Sequence, residues 1–440
     1  MMRNSQTGPY AFPIPAEFSN WRDEQRAWRE GVALMDQSYH MTDLYVEGPD
    51  VLRLISDLAV NSFAGFGDNK AKQFIACTPS GHLVGDMIIF GLGPQLVNIV
   101  GRPTVANWVE FKALTGGYDV NVDRDERTLN NTKPRKTFRF EIQGPLAWSL
   151  IEKLNGRELE QPKFFQMGNI RVAGRELRSL RHGMGGAPGL EFWGPVEQGP
   201  EVKAVILEAG KEFGLRQVGA RAYASAAVDS GWLPCPMPAI YSGEEMRPYR
   251  EWLRASSFDG VASVGGSFVA DVIEDYYYTP WDLDYGRLIR FDHDFVGRKA
   301  LEEKAKGPHR RKVSLVWRPD DVASLFRSQM TPGANGKYME MPAFHYSSYQ
   351  YDAVLDSRER RVGVSTYSSF LAPDGAFVSL AVVDEQHALE GTELTVVWGE
   401  PNGGSKRPNV ERHVQMRLQC SVSGWPFSSI ARAGYRKPAA

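Results

Sequence analysis

The sequence predicts an α+β fold, and three observations predict it. Strand-like runs come in hairpins with short turns. Helical runs are interleaved irregularly between them. The last third reads as strands with Gly- and Asp-rich connections. A doubly wound parallel sheet would need regular alternation of strand and helix, which this mixture of hairpins and helices does not offer.

Taken in order, Asn20–Leu34 is expected to be a helix capped by Ser19, with Trp21, Ala27, Trp28 and Val32 on one face. A strand over Met41–Val46 runs into Gly48-Pro49-Asp50, a turn that opens a helix through Ala59. Strands follow at Gln73–Thr78, Asp86–Phe90 and Leu96–Val100, the first two joined through Pro79-Ser80-Gly81. A helix near Val105–Leu114 closes this unit. The pattern then restarts with a strand at Phe138–Gln143, a helix from Gly144-Pro145 to Leu154, and a hairpin of Asn169–Val172 with Glu176–Arg181. Val196–Phe213 reads as a helix ended by Gly214. Beyond Ala305–Pro308, strands are expected at Lys312–Trp317, Arg361–Thr366, Phe377–Val383 and Glu393–Val397. The 440 residues therefore divide into a first α+β unit at 1–137, a second at 138–305 with an aromatic insertion at 230–280, and a C-terminal β domain at 309–440.

Composition excludes several functions. Lys+Arg total 51 against Asp+Glu 53, a formal charge of −2, so no overall field draws in nucleic acid or an anionic membrane. The basic clusters Lys133-Pro134-Arg135-Lys136 and Arg310-Arg311-Lys312 are short and read as solvated charge. Cys77, Cys235 and Cys420 form no CxxC pair, and their odd count argues against a disulfide framework. Met1 to Pro15 holds no apolar run of signal-peptide length, and the run around Met87-Ile88-Ile89-Phe90 is too short to span a bilayer. A soluble, reduced, cytoplasmic protein is expected.

No Walker loop, HExxH or GxSxG occurs. Gly183-Met184-Gly185-Gly186-Ala187-Pro188 approaches a dinucleotide fingerprint but carries Pro at the last position. The eight histidines show no metal-ligand spacing, and His293 between Asp292 and Asp294 reads as a solvated turn, so no metal is expected.

Four segments stand in a distinctive order. They are Asp36-Gln37-Ser38-Tyr39-His40-Met41 with Val46-Glu47-Gly48-Pro49-Asp50; Gly81-His82-Leu83-Val84-Gly85-Asp86-Met87-Ile88-Ile89; Arg181-His182-Gly183 through Gly189-Leu190-Glu191-Phe192; and Val218-Gly219-Ala220-Arg221 through Thr279-Pro280 to Asp294-Phe295-Val296-Gly297-Arg298-Lys299-Ala300-Leu301. Together they resemble the aminomethyltransferase family, which includes the T-protein of glycine cleavage. The resemblance covers most of the chain. It implies a three-lobed, folate-binding arrangement with tetrahydrofolate in a central channel and a C-terminal β domain. The pterin-holding glutamate falls at Glu191, whose two acceptor oxygens suit adjacent N–H donors of the aminopyrimidine edge. Asp86, Arg221 and Trp232 are the further cofactor-side residues that the resemblance implies.

The sequence departs from the glycine-cleavage pattern. Gly85 stands for the first of two adjacent aspartates, Met184 for a pterin-side tyrosine, and Gly186-Ala187-Pro188 for part of a Thr-Gly-Glu neighbourhood. After Arg221 comes Asp229-Ser230-Gly231-Trp232, then Pro234, Pro236, Pro238 and Tyr241-Ser242-Gly243-Glu244. That stretch, with Gln37-Ser38-Tyr39-His40-Met41-Thr42-Asp43, resembles the branch of bacterial O-demethylases acting on vanillate, syringate or 3-O-methylgallate. The implied activity is transfer of an aryl methyl ether's methyl group to N5 of tetrahydrofolate, with a small aromatic methoxy acid as the other partner and neither nucleic acid nor membrane involved. A tyrosine hydroxyl should stabilise the departing phenoxide; Tyr241 and Tyr39 are the expected catalytic tyrosines, with His40 orienting either. An arginine should meet the substrate carboxylate; Arg102 is one candidate, a structural contact or one to the folate tail being the alternatives for it. The insertion's Trp252, Phe258, Phe268, Tyr276, Tyr277 and Tyr278 either line a ring pocket or, for most of them, pack an interface. Two other readings stand beside this one: demethylation of a sulfonium or N-methyl compound, and a non-catalytic folate-binding protein.

Overall fold

The computed structural model describes residues 2–4, 13–128, 133–234, 236–404 and 410–433, so Cys235 lies outside the described residues. Two antiparallel-rich sheets and a closed barrel organise the chain. The first sheet has five strands in the order Ala71–Cys77, Leu83–Gly93, Leu96–Gly101, Thr42–Glu47 and Asn121–Asp125. The second has six, in the order Arg216–Gln217, Ala33–Asp36, Thr137–Gln143, Gly189–Pro195, Arg175–Leu180 and Met167–Val172. The barrel closes through Arg311–Trp317, Ala376–Val383, Arg361–Leu371, Asp352–Leu355, Glu393–Trp398 and Met416–Ser423. Among the described residues no helix is long and apolar enough to cross a membrane.

The expected division at residue 137 does not follow the sheets. Strand Ala33–Asp36 pairs with Thr137–Gln143 and with Arg216–Gln217, so the chain starts in the second sheet and enters the first only at Thr42. The helix expected over Asn20–Leu34 ends at Glu30 for the same reason: Val32-Ala33-Leu34-Met35 is buried and its backbone is used by the sheet. Its cap is Asn20, whose side chain accepts from the Asp23 N–H at 3.1 Å, and not Ser19. The expected helix at 196–213 is one α-helix, Gly199–Gly210, with a 3₁₀ turn at each end. Strands Gly189–Pro195, Asp352–Leu355 and Met416–Ser423 and the helix Pro319–Gln329 were not among the expected elements.

Packing explains the aromatic insertion. Phe268, Tyr276, Tyr277 and Tyr278 share one buried cluster with Ile75, Leu83, Tyr349, Tyr351 and the barrel residues Val364, Val378 and Leu380. Trp252 packs on Trp108, Phe111 and Tyr249 under the first sheet. The rings of Phe268 and Tyr276–Tyr278 join the first sheet to the barrel by burying large apolar area between them. Helix Trp21–Glu30 is fastened by Asp229, which accepts from Trp28 Nε1 at 2.7 Å and pairs with Arg29 at 2.5 Å.

Candidate active site

A cavity of about 970 Å³ lies where the two sheets and the C-terminal domain meet. Its position follows from the chain's crossing. Gln37–Met41 is the segment that leaves one sheet for the other, and Gln37, His40 and Met41 line the cavity. Arg102 sits where strand Leu96–Gly101 hands over to a helix begun by Pro103. Gly231 holds φ +71, and a Cβ there would come within 2.4 Å of the Trp425 indole nitrogen, which donates to the Gly231 carbonyl at 2.7 Å. That close approach sets Trp232 and Trp425 together in the wall.

Glu191 is buried on the central strand Gly189–Pro195 and lines the cavity. Its carboxylate pairs with Arg139, which also meets Asp43 at 3.3 Å and lies over the Phe90 and Trp193 rings. Directly across the ladder stands Glu141, fully buried, accepting from Gln37, Gln143 and the Met184 N–H. Burial, and then the charge of Glu191, push the Glu141 carboxyl up to about 8. Donor atoms of Glu141, His182 and Glu191 lie within 4.8 Å of one another. The sequence spacing did not reveal this group, because it forms by cross-strand register. The Arg139 guanidinium already neutralises Glu191, so the cluster is electrostatically set for a neutral hydrogen-bonding ligand more than for a second cation. Exhaustive dialysis against a chelator is therefore expected to leave turnover intact; loss restored by a divalent metal would assign these three residues to an ion.

Asp86 lines the same cavity. It accepts from Gln73 at 2.8 Å and from Trp232 Nε1 at 3.1 Å, and burial raises its carboxyl above the ordinary value. Arg221, also in the wall, donates to the Met341 carbonyl at 2.5 Å and reaches Glu17 at 3.4 Å, tying the second sheet's connection to the C-terminal domain. The cavity thus brings together Glu191, Asp86, Arg221, Trp232, Arg102 and His40.

It does not include the two expected tyrosines. Tyr241 is packed outside the cavity wall, and its hydroxyl donates to the Asp259 carbonyl at 3.0 Å. Asp259 in turn is bound by Thr104 at 2.6 Å and Asn107 at 3.0 Å on the helix Pro103–Thr115. In this geometry the Tyr241 hydroxyl links the insertion to that helix through Asp259, and the catalytic role expected for Tyr241 is left to experiment. Tyr241→Phe is expected to cost about 1 kcal/mol of stability and little turnover; a large fall in kcat with an unchanged melting temperature would restore the catalytic reading. Tyr39 likewise does not line the cavity, although Gln37 and His40 do, and burial raises its hydroxyl.

Three tyrosines line the cavity, Tyr223, Tyr285 and Tyr367; Tyr223 stands at the end of the short helix Ala220–Tyr223. Its hydroxyl lies 3.1 Å from His40 Nε2, with the rings edge to face. Burial lowers His40 to about 3, helped by the charges of Arg102 and Arg135, so the imidazole is neutral at working pH. Burial, with Glu141 and Glu191, raises Tyr223 well above a free phenol, while Arg102 acts in the opposite sense. Tyr223 is therefore a retained O–H donor within electrostatic reach of both Glu191 and Arg102. The Arg102 guanidinium stands 6.0 Å from the Phe258 ring. Phe258 is also the one ring of the six singled out in the insertion that lines the cavity, with Arg127 at 4.9 Å on it. Tyr223 escaped the sequence reading because Arg221-Ala222-Tyr223 gives no local sign of facing His40, 183 residues earlier.

The fold is that of a folate-dependent methyl- or aminomethyl-transfer protein. It superposes on the glycine cleavage system aminomethyltransferase T from Bartonella henselae with a TM-score of 0.63, at 18% identity, covering 97% of this chain and 94% of that one. Residues 6–235 match the GCVT N-terminal domain. The chain is 42% identical to the syringate O-demethylase of Sphingobium sp. (strain NBRC 103272 / SYK-6), across 99% of its own length and 94% of the relative's. It is 27% identical to the sesamin methylene transferase of Sinomonas sp. (strain No.22), over 90% and 88% of the two chains. An aminomethyltransferase of Caldanaerobacter subterraneus subsp. tengcongensis is 24% identical over 87% and 85%. The chain belongs to the GCVT family.

Proposed function

We propose that the protein is a tetrahydrofolate-dependent O-demethylase that takes the methyl group of an aryl methyl ether, the substrate being a small methoxybenzoate. The observation that carries this reading is the Tyr223–His40 pair standing in one cavity with the buried Glu191 carboxylate and with Arg102. The cytoplasm is its proposed location.

The wall fits the cofactor. Glu191 has two carboxylate oxygens for adjacent N–H donors, held in place by Arg139, and Asp86, Trp232 and Arg221 complete that part of the wall. Tetrahydrofolate, when bound, supplies the nitrogen that accepts the methyl group. The chain's own residues handle the leaving group. Arg102 pairs with the substrate carboxylate and fixes the ring against Phe258. Tyr223 donates its O–H to the ether oxygen as the C–O electron pair moves onto it, and neutral His40 holds that hydroxyl in position. A sulfonium or N-methyl cation suits this cavity poorly, because Arg102 and Arg127 set positive charge beside Phe258.

Incubation with tetrahydrofolate and vanillate, syringate or 3-O-methylgallate should yield 5-methyltetrahydrofolate and the matching phenol. Turnover of sulfonium or N-methyl compounds alone would replace this reading. Arg102→Met should raise KM for carboxylated substrates roughly 10- to 100-fold and should matter far less for the corresponding neutral methoxyphenols. An equal loss on both would remove Arg102 from carboxylate recognition.

A further inference from the structure

The C-terminal barrel puts a second hydroxyl–imidazole pair into the cavity. Strand Arg361–Leu371 breaks register with Ala376–Val383 between Thr366 and Ser368, and the residue at the break, Tyr367, holds φ +38. A non-glycine side chain rarely adopts that backbone, and bulges of this kind re-aim side chains beside functional sites. Here the re-aimed ring lines the cavity, its hydroxyl 3.5 Å from His345 Nε2 and the two rings 5.0 Å apart. His345 also lines the cavity. The pair is coupled to the first one: the charge of Arg102 acts on both His40 and His345, and Tyr223 feels Tyr367.

We propose that Tyr367, positioned by His345, is a specificity-determining residue that hydrogen-bonds the ring oxygen next to the methyl ether being cleaved, whether a free hydroxyl or a second methoxy group. This rests on the reading of the cavity as an aryl O-demethylase site. A methoxybenzoate with its carboxylate on Arg102 and its reacting ether on Tyr223 leaves the adjacent oxygen as the polar group still to be met. Tyr367 presents a hydroxyl to the same cavity, and it comes from the C-terminal barrel. A hydroxyl donor reads both substituents, because each offers oxygen lone pairs. A site built to bond a substrate oxygen discriminates strongly against the analogue lacking it.

The test compares kcat/KM for 4-hydroxy-3-methoxybenzoate with that for 3-methoxybenzoate, in wild type and in Tyr367→Phe. The proposal expects wild type to favour the hydroxylated substrate, and the ratio to fall about tenfold or more in the variant. His345→Asn, which leaves the hydroxyl in place but loosens it, should lower the ratio less. Equal ratios in wild type and Tyr367→Phe would overturn the proposal, as would a uniform loss on both substrates. If Tyr367→Phe does not fold, the His345→Asn ratio decides alone: an unchanged value overturns the proposal. Failure of wild type to demethylate either benzoate would instead remove the O-demethylase reading itself.

Discussion

Tyr223→Phe should lower kcat about 100-fold or more while leaving the melting temperature and KM close to wild type. The hydroxyl acts where charge develops on the aryl oxygen, so its removal raises the barrier of the chemical step and scarcely touches binding of the ground state. The ring stays, so its edge contact with His40 survives. Substrates with more acidic phenols should lose less, because they need less help to depart. The pH profile follows from the surroundings. His40 is held down to about 3 by burial and by neighbouring arginines, and Tyr223 is held well above 10, so neither changes charge between pH 5 and 9. A bell-shaped profile centred near neutrality that disappears in Tyr223→Phe would contradict the retained-donor role. So would wild-type kcat in a folded variant.

Glu191→Gln should weaken tetrahydrofolate binding by about 1–3 kcal/mol, roughly 5- to 150-fold in Kd. One acceptor oxygen becomes an amide donor facing cofactor donors. The substitution also leaves Arg139 with Asp43 as its carboxylate partner, at 3.3 Å. Removing one partner of a buried pair destabilises the fold, so a lower melting temperature is expected as well. The two effects separate by measurement: calorimetry on the folded variant reads the cofactor, and thermal unfolding without ligand reads Arg139. Glu141 adds a pH dependence of its own. Its carboxyl is raised to about 8 in the fold against 4.5 in the unfolded chain. It therefore binds a proton in the native state that the unfolded chain has lost, and its contribution to stability falls as pH rises from about 5 to 8. With Glu191's charge gone, part of that pH dependence should flatten.

The sequence carried the order of hairpins and helices, the β-rich C-terminal third, and Glu191, Asp86, Arg102 and His40 as separate candidates, which the structure finds lining one cavity. Hydrophobic alternation and turn residues report local structure, and motif residues travel with their segments. It did not carry what depends on distant chain segments meeting. Ala33-Leu34 reads as the end of a helix until its partners in Thr137–Gln143 and Arg216–Gln217 are known. Glu141 looks like a strand residue until the register sets it against Glu191. Tyr241 and Tyr223 cannot be told apart by composition: one hydroxyl is consumed by the Asp259 carbonyl, the other stands in the cavity beside His40. Of the insertion's aromatics, Phe258 reaches the cavity while Phe268 and Tyr276–Tyr278 fill the seam with the barrel. A ring needed for packing and a ring needed for binding carry the same sequence signal.

The central claim is direct transfer of an aryl methyl group to the folate nitrogen in this cavity. A methoxybenzoate labelled with ¹³C in its ether methyl, incubated with protein and tetrahydrofolate, tests it by NMR. The account predicts that the label appears in the N-methyl group of 5-methyltetrahydrofolate, in step with release of the phenol and at a rate cut about 100-fold by Tyr223→Phe. Label emerging as methanol or formaldehyde, or phenol released without tetrahydrofolate, would contradict it.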